Sequence, residues 1–381
     1  MKKMGFGMMR LPLKDNDDLT SINQKEVNEM VDLFMKSGYT YFDTAYPYHE
    51  GRSEVALRKA LVERYPRDSY VVADKLPLFL INKEEQLEQI FNEQLERTGL
   101  DYFDYYLMHN VSGFSEDGFI GVDSFKFVNE KKAEGKIKHL GLSSHADAEY
   151  IDNILSQHPE MEFIQLQLNY LDWKNEGIQS RKCYEVARKH GIPVIVMEPL
   201  KGGFLANVPD DACKLMKDYN PDKSIVSWAM RYVTGLDDVM MVLSGVNTYK
   251  QMEENISDME NFEALSSEEL SIIDEVVGII NSQIAVPCTK CNYCIAHCPK
   301  NINIPKLFDM YNNEKIENIE TFTAVGNAYV NYSRVEGNGI ASDCIECGLC
   351  VKECPQHIDI PTVMKDVKNT FEKELYGFNG D

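Results

Sequence analysis

The sequence predicts an α/β chain in two parts: a closed barrel of eight strand–helix units, then a small, mainly α-helical domain rich in cysteine. Two observations carry this expectation. Short β-rich runs alternate with helix-length amphipathic stretches about eight times before residue 280, and eight of the ten cysteines then fall between Cys288 and Cys354. The length of 381 residues fits, because a barrel of this kind takes about 250 residues and leaves room for one small appendage.

The elements follow in order. A helix over Asn23–Lys36 leads to YTYFDTAY, and one over Arg52–Arg64 leads to SYVVADK. Lys83–Thr98 precedes YFDYYLMH, Asp123–Glu134 precedes KHLGLSS, and the pattern continues through FIQLQL, IPVIVME and VMMVLSG. Strands alternating with helices imply right-handed βαβ units and a parallel sheet. Eight units favour closure into a (β/α)8 barrel over an open doubly wound sheet, and no Gly-x-Gly-x-x-Gly opens a helix after a strand. Ser266–Ser282 reads as the last barrel-packing helix, which puts the barrel at residues 1–282 and the second domain at 283–381.

Apolar residues make up 44% and charged residues 26%, ordinary for a chain with a sizeable core. The net charge of -22, from 61 acidic and 39 basic side chains, repels phosphate backbones and anionic membrane surfaces. Nucleic acid and membrane are therefore not expected partners, whereas a basic electron carrier would be attracted. No run approaches the roughly 18–20 apolar residues of a membrane span, and the N-terminus lacks a signal-peptide core, so a cytoplasmic location is expected.

Chemistry in such a barrel sits at the C-terminal ends of the strands and in the loops after them. Four groups fall there: Asp43 ending the second strand, Tyr48 in its loop, Lys75 ending the third and His109 ending the fourth. Singly, each has a structural explanation as a cap, a cover, a solvated charge or a satisfied interior histidine. Together they place an acid, a phenol, an ammonium and an imidazole on one rim.

With FDTAYPY and the following GRSE, then ADK, DYYLMH, GKIKHLGLSS and MEPLKGG, the first 280 or so residues resemble the aldo/keto reductases. The resemblance implies reduction of an aldehyde or ketone by hydride from NAD(P)H, with Tyr48 as the acid that protonates the developing alkoxide. Lys75 would lower the phenol pKa from its usual value of about 10, Asp43 would hold Lys75, and His109 would orient the carbonyl. It also implies nicotinamide contacts from Ser143, Ser144 and Gln165. Pro199 and Leu200 would line the pyrophosphate path, with Ser244, Gly245, Glu254 and Asn255 around the adenosine. The chain departs from the family pattern at Ser144, where asparagine is common, at Met197, where an aromatic is common, and at Gln251, where an arginine often grips a 2'-phosphate. NADP and NAD therefore both stay open.

The remaining chemistry lies in two Cys-x-x-Cys-x-x-Cys-x-x-x-Cys-Pro runs, CTKCNYCIAHCP and CIECGLCVKECP, similar enough to be an internal duplication. This is the ligand run of bacterial two-cluster ferredoxins, in which the fourth cysteine serves the other cluster. The rule gives one 4Fe-4S cluster on Cys288, Cys291, Cys294 and Cys354, and a second on Cys344, Cys347, Cys350 and Cys298. Zinc sites pair their cysteines and leave the third, the fourth and the proline unexplained. An Ile-x-Ile-Pro step and a helical pattern follow each Cys-Pro, as in α-helical ferredoxins; His297 and His357 flank the ligands. Cys183 and Cys213 lie in helical patterns of the barrel and read as ordinary thiols.

The whole is expected to be an NAD(P)-dependent oxidoreductase acting on a small carbonyl compound, with two 4Fe-4S clusters for electron transfer and a redox protein as a partner. Two alternatives compete: clusters that are purely structural, and a ferredoxin-linked carrier whose barrel is inactive. Hydride moves two electrons and each cluster one, so a flavin or direct one-electron delivery would have to reconcile them, and no flavin motif is visible.

Overall fold

In the computed structural model, which describes residues 2–16, 18–111, 122–175, 178–260, 262–317 and 324–373, the β-rich runs form eight parallel strands. They are β1 (Met4–Gly7), β2 (Tyr41–Asp43), β3 (Val71–Leu76), β4 (Phe103–Met108), β5 (Ile137–Ser144), β6 (Phe163–Gln167), β7 (Val194–Met197) and β8 (Val239–Ser244). Each pairs with its neighbour in chain order and β8 pairs with β1, closing the barrel.

Period-two alternation along a strand sorts its side chains between the barrel interior and the helices outside. Tyr41, Ala73, Leu107, Phe163, Ile195 and Met241 form an interior apolar layer. Two residues further along the same strands, or just past their ends, come Asp43, Lys75, His109, Gln165 and Met197. The polar set is thus the next interior layer toward the C-terminal rim. Gly141 belongs to the apolar layer because nothing larger fits: a Cβ there would stand 2.5 Å from the Phe163 carbonyl oxygen.

On the outside, helices bury one stripe each. The helix Gln24–Lys36 turns Val27, Met30, Val31 and Phe34 inward, the i, i+3, i+4, i+7 pattern of an amphipathic helix. The expected helix Arg52–Arg64 is α-helical only over Arg52–Leu57 and continues as a π-type turn, Arg58–Val62. β3 extends one residue past Lys75, and His109 is the residue after β4 rather than its last.

The chain divides into two compact units, Met1–Leu200 with Asp222–Ser267, and Lys201–Pro221 with Glu268–Asp381. This differs from the expected boundary at residue 282. The helix Ser267–Gln283 falls almost wholly in the second unit, as does the segment after β7 that carries the helix Asp210–Tyr219.

The second unit is mainly helical, as expected. Its helices Ile304–Glu317, Ala324–Ser333 and Ile360–Phe371 enclose a core that includes Leu307, Phe308, Tyr329, Met364, Val367 and Phe371. A parallel bridge, Ile302 to Gly339, adds to it. Among the described residues no helix is long and apolar enough to cross a membrane.

Candidate active site and cluster-binding module

The barrel rim brings the four expected groups together. Lys75 is buried and donates from Nζ to Asp43 Oδ1 at 2.5 Å and to the Thr44 carbonyl at 2.7 Å. Gln165 Nε2 donates to the other Asp43 oxygen at 3.2 Å. Burial pushes the Asp43 carboxyl above its ordinary value, opposed by the Lys75 charge. Lys75 Nζ lies 4.9 Å from the centre of the Tyr48 ring, and the Tyr48 and His109 rings meet edge-on with centroids 6.0 Å apart.

The expected lowering of the Tyr48 pKa does not occur in this geometry. Burial pushes the phenol well above its usual value, and the charges of Asp43, Asp74 and Glu198 add to the effect. Lys75 addresses the ring face, and Asp43 neutralises its ammonium at hydrogen-bond distance. The phenol therefore keeps its proton, the form a proton donor needs. His109 is held well below its usual pKa by burial and then by the Lys75 and His145 charges. It is a neutral imidazole, buried, and its Nδ1 has no hydrogen-bond partner among the described residues.

The expected cofactor-facing residues lie at or after the C-terminal ends of β5 to β8. Ser143 Oγ accepts from the Asn110 backbone N–H at 2.9 Å, which leaves its own proton to donate. Ser144 Oγ donates to the Val111 carbonyl and accepts from Ala146 N–H, so it is engaged on both sides. Gln165 uses its amide N–H on Asp43, leaving its carbonyl as an acceptor. Pro199 is buried and Leu200 half-buried. Asn255 Nδ2 donates to Ser244 Oγ at 2.8 Å, both buried, while Gly245 and Glu254 are exposed and Glu254 pairs with Lys250 at 3.6 Å.

The eight cysteines of the second unit line two cavities. One is walled by Cys288, Cys291, Cys294 and Cys354, the other by Cys298, Cys344, Cys347 and Cys350. Each set takes three cysteines from one run and the fourth from the other. No group of three or more His, Cys, Asp or Glu among the described residues converges on a single-ion site. A cubane asks for something different, since each thiolate meets its own iron and the four sulfurs stand apart around a cavity. Burial, then the neighbouring cysteines, pushes the Cys350 thiol up to about 11 and raises Cys294 as well. Bound iron would relieve that penalty, because it takes up thiolates directly. Among the described residues, which include all ten cysteines, no disulfide is formed.

The duplication extends to the backbone. Cys288 and Cys344 stand 56 residues apart, and at the same offset Lys290 and Glu346, Asn292 and Gly348, and Asn301 and His357 all have positive φ. Both Ile-x-Ile-Pro steps carry the same turn, with Ile304 N–H bonded to the Ile302 carbonyl and Ile360 N–H to that of Ile358.

The model of the aldo/keto reductase family matches residues 3–277, most of the chain. The chain is an aldo/keto reductase. The family model of the 4Fe-4S dicluster domain matches residues 287–358. Among curated relatives, an uncharacterized oxidoreductase of Bacillus subtilis is 24% identical over 308 residues, covering 72% of this chain and 92% of the relative. The L-galactose dehydrogenase of Arabidopsis thaliana is 24% identical over 300 residues, covering 73% and 90%. The holo form of an aldo-keto reductase from Bacillus halodurans superposes with a TM-score of 0.56 at 24% identity, covering 72% and 91%. An aldo-keto reductase from Klebsiella pneumoniae in complex with NADPH gives 0.56 at 18%, covering 72% and 90%. The reductase thus matches one family model over residues 3–277 and a second over residues 287–358. It is an NAD(P)-dependent oxidoreductase with a ferredoxin-like 4Fe-4S domain.

The reductase also has polar groups behind its rim that sequence reasoning passed over. Glu54 and Asp74 are fully buried and lie close enough to act on one another; burial lifts Glu54 to about 7, and Asp74 is raised well above its usual value by burial and then by Glu54. Glu54 Oε2 accepts from Arg97 at 3.1 Å, and Asp74 Oδ1 accepts from the Lys75 backbone N–H at 2.8 Å. Gln94 Nε2 donates to the Lys75 carbonyl. Both acids were already inside GRSE and ADK; the missing signal was that they face one another. After β6, the Gln167 and Asn169 amides both donate to Asp172 Oδ2 at 2.8 Å, a buried network with no spacing to announce it.

Proposed function

We propose that this reductase transfers hydride from NADH or NADPH to an aldehyde or ketone, with Tyr48 donating the proton. The observation that carries this reading is the buried Lys75–Asp43 pair set beneath a protonated Tyr48 and beside a neutral His109 with an unpartnered ring nitrogen. The nicotinamide, when bound, supplies the hydride. Asp43 and the Thr44 carbonyl fix Lys75, and Lys75 places positive charge against the phenol from which the proton leaves. His109 donates a hydrogen bond to the substrate oxygen, orienting it as negative charge develops there. Gln165 and Ser143 would hold the carboxamide. Pro199 and Leu200 would follow the pyrophosphate, and Ser244, Gly245, Glu254 and Asn255 would surround the adenosine.

Two 4Fe-4S clusters would be held by the crossed cysteine sets, and a one-electron carrier protein would exchange electrons with them; the acidity of the chain favours a basic one. The burial of Cys294 and Cys350 in the core of the second unit favours a second role, in which the same clusters also stabilise that unit. The enzyme would work in the cytoplasm, where thiols remain reduced.

Tyr48→Phe is the test. Anaerobic assays with a panel of aldehydes and ketones should show turnover falling by two to four orders of magnitude, about the contribution of general acid catalysis. Nicotinamide binding, read as quenching of protein fluorescence, should persist. Unchanged turnover would remove Tyr48 from the chemistry.

A further inference from the structure

The 56-residue offset gives every position at one cysteine cavity a counterpart at the other. Their backbones agree, but some of their side chains do not. Thr289 follows Cys288, is 4% exposed and lines the first cavity with Cys288, Cys291, Cys294 and Cys354. Its hydroxyl has no hydrogen-bond partner among the described residues. Its counterpart, Ile345, is 58% exposed and has no hydroxyl. Gln356 is buried, lines the same first cavity and accepts a hydrogen bond from Lys201 Nζ, itself buried. The counterpart of Gln356 is Lys300, exposed at the second cavity.

A buried hydroxyl without an acceptor is costly, so a native one asks for a partner that the protein atoms do not supply. Here it lines a cavity whose four thiols suit a cubane, and the sulfurs of such a cluster accept hydrogen bonds. Lys201 is buried and reaches the wall of this cavity through its hydrogen bond to Gln356, so its charge stands close to the cysteine set in a region poorly screened by water. Reduction adds negative charge to a cluster, so a donated hydrogen bond and a buried cation both favour the reduced form. Glu353 lines the same cavity and acts in the opposite sense, but it is half-exposed and water screens it more than it screens Lys201.

We propose that Thr289, and Lys201 acting through Gln356, raise the reduction potential of the cluster on Cys288, Cys291, Cys294 and Cys354 and leave its twin untouched. This rests on the two-cluster reading above. Neither residue is a ligand; both tune.

Iron and acid-labile sulfide analysis of the full chain comes first, and a result of no clusters would defeat the two-cluster reading rather than the tuning. With clusters present, redox titration followed by electron paramagnetic resonance compares wild type with Thr289→Val, Thr289→Ser, Lys201→Met and Lys201→Arg. Thr289→Val should raise the oxidised-to-reduced ratio of one signal about tenfold at fixed potential, 59 mV for a one-electron couple. That signal should be the one lost in Cys288→Ser. Lys201→Met should move the same signal in the same direction, Thr289→Ser and Lys201→Arg should hold it near wild type, and the other signal should not move. Should Thr289→Val lose iron, Lys201→Met decides alone. Unmoved signals, equal movement of both, or movement of different signals by the two variants would overturn the proposal.

Discussion

Lys75→Met removes the ammonium from the floor of the site and leaves its partner behind. Asp43 is almost wholly buried; of the hydrogen bonds made to its carboxylate, the 3.2 Å contact from Gln165 remains after the 2.5 Å contact from Lys75 is lost. Breaking a buried ion pair by deleting one member costs about 3–5 kcal/mol, because an uncompensated charge stays in the interior. For a unit of this size each kcal/mol lowers Tm by about 2–4 °C, so the expected loss is about 6–20 °C. The readout is clean: the chain has two tryptophans, Trp173 and Trp228, and both belong to the first unit. Tryptophan fluorescence during heating or urea unfolding therefore reports on the barrel and not on the cysteine module. The double variant Asp43→Asn/Lys75→Met, which removes both charges, should recover much of the loss while remaining inactive. A Lys75→Met barrel within about 1 kcal/mol of wild type, or a double variant no more stable than the single one, would refute a mutually dependent pair.

The acid pair behind the rim makes barrel stability depend on pH. Glu54 titrates at about 7 in the folded chain and near its ordinary value when unfolded, and Asp74 is raised in the same sense. The folded state thus keeps a proton that the unfolded chain gives up. That contribution is fully present below the unfolded values and is lost as pH rises through about 7, so the tryptophan-detected midpoint should fall across this range and flatten in Glu54→Gln/Asp74→Asn. In the cysteine module, crossed ligation predicts which variants behave alike. Cys298→Ser should give the same surviving spectrum as Cys344→Ser, and Cys354→Ser the same as Cys288→Ser, each with about half the iron; pairing by run instead would show that the crossing is wrong.

What the sequence made legible was whatever repeats or has a fixed spacing. Strand runs of period two and the two cysteine runs announce themselves, and strand ends locate Asp43, Lys75 and His109 because position in a barrel is set by the strand. The Tyr48 pKa was misjudged, since the sequence places a lysine nearby without saying that Asp43 holds its charge and that the half-buried phenol is largely desolvated. The Glu54–Asp74 contact was invisible for a related reason: two acids on different elements carry no mutual signal until the fold brings them together. The π-type turn at Arg58–Val62 shares the helical period too closely to be separated from it by pattern.

The second unit is assembled from two stretches of chain, Lys201–Pro221 and Glu268–Asp381, with barrel sequence between them. Synthesis runs in one direction, so the first stretch leaves the ribosome long before its partners exist. At about 5–20 residues per second, the 160 residues 222–381 take about 8–30 s. Over that interval the barrel has every residue of its eight strands as soon as β8 is complete, while Lys201–Pro221 waits for a module that must still acquire iron. Maturation of the metal centre and completion of the polypeptide fold are then one event, and a chain cut after the last barrel strand would be left with a segment whose proper neighbours never arrive.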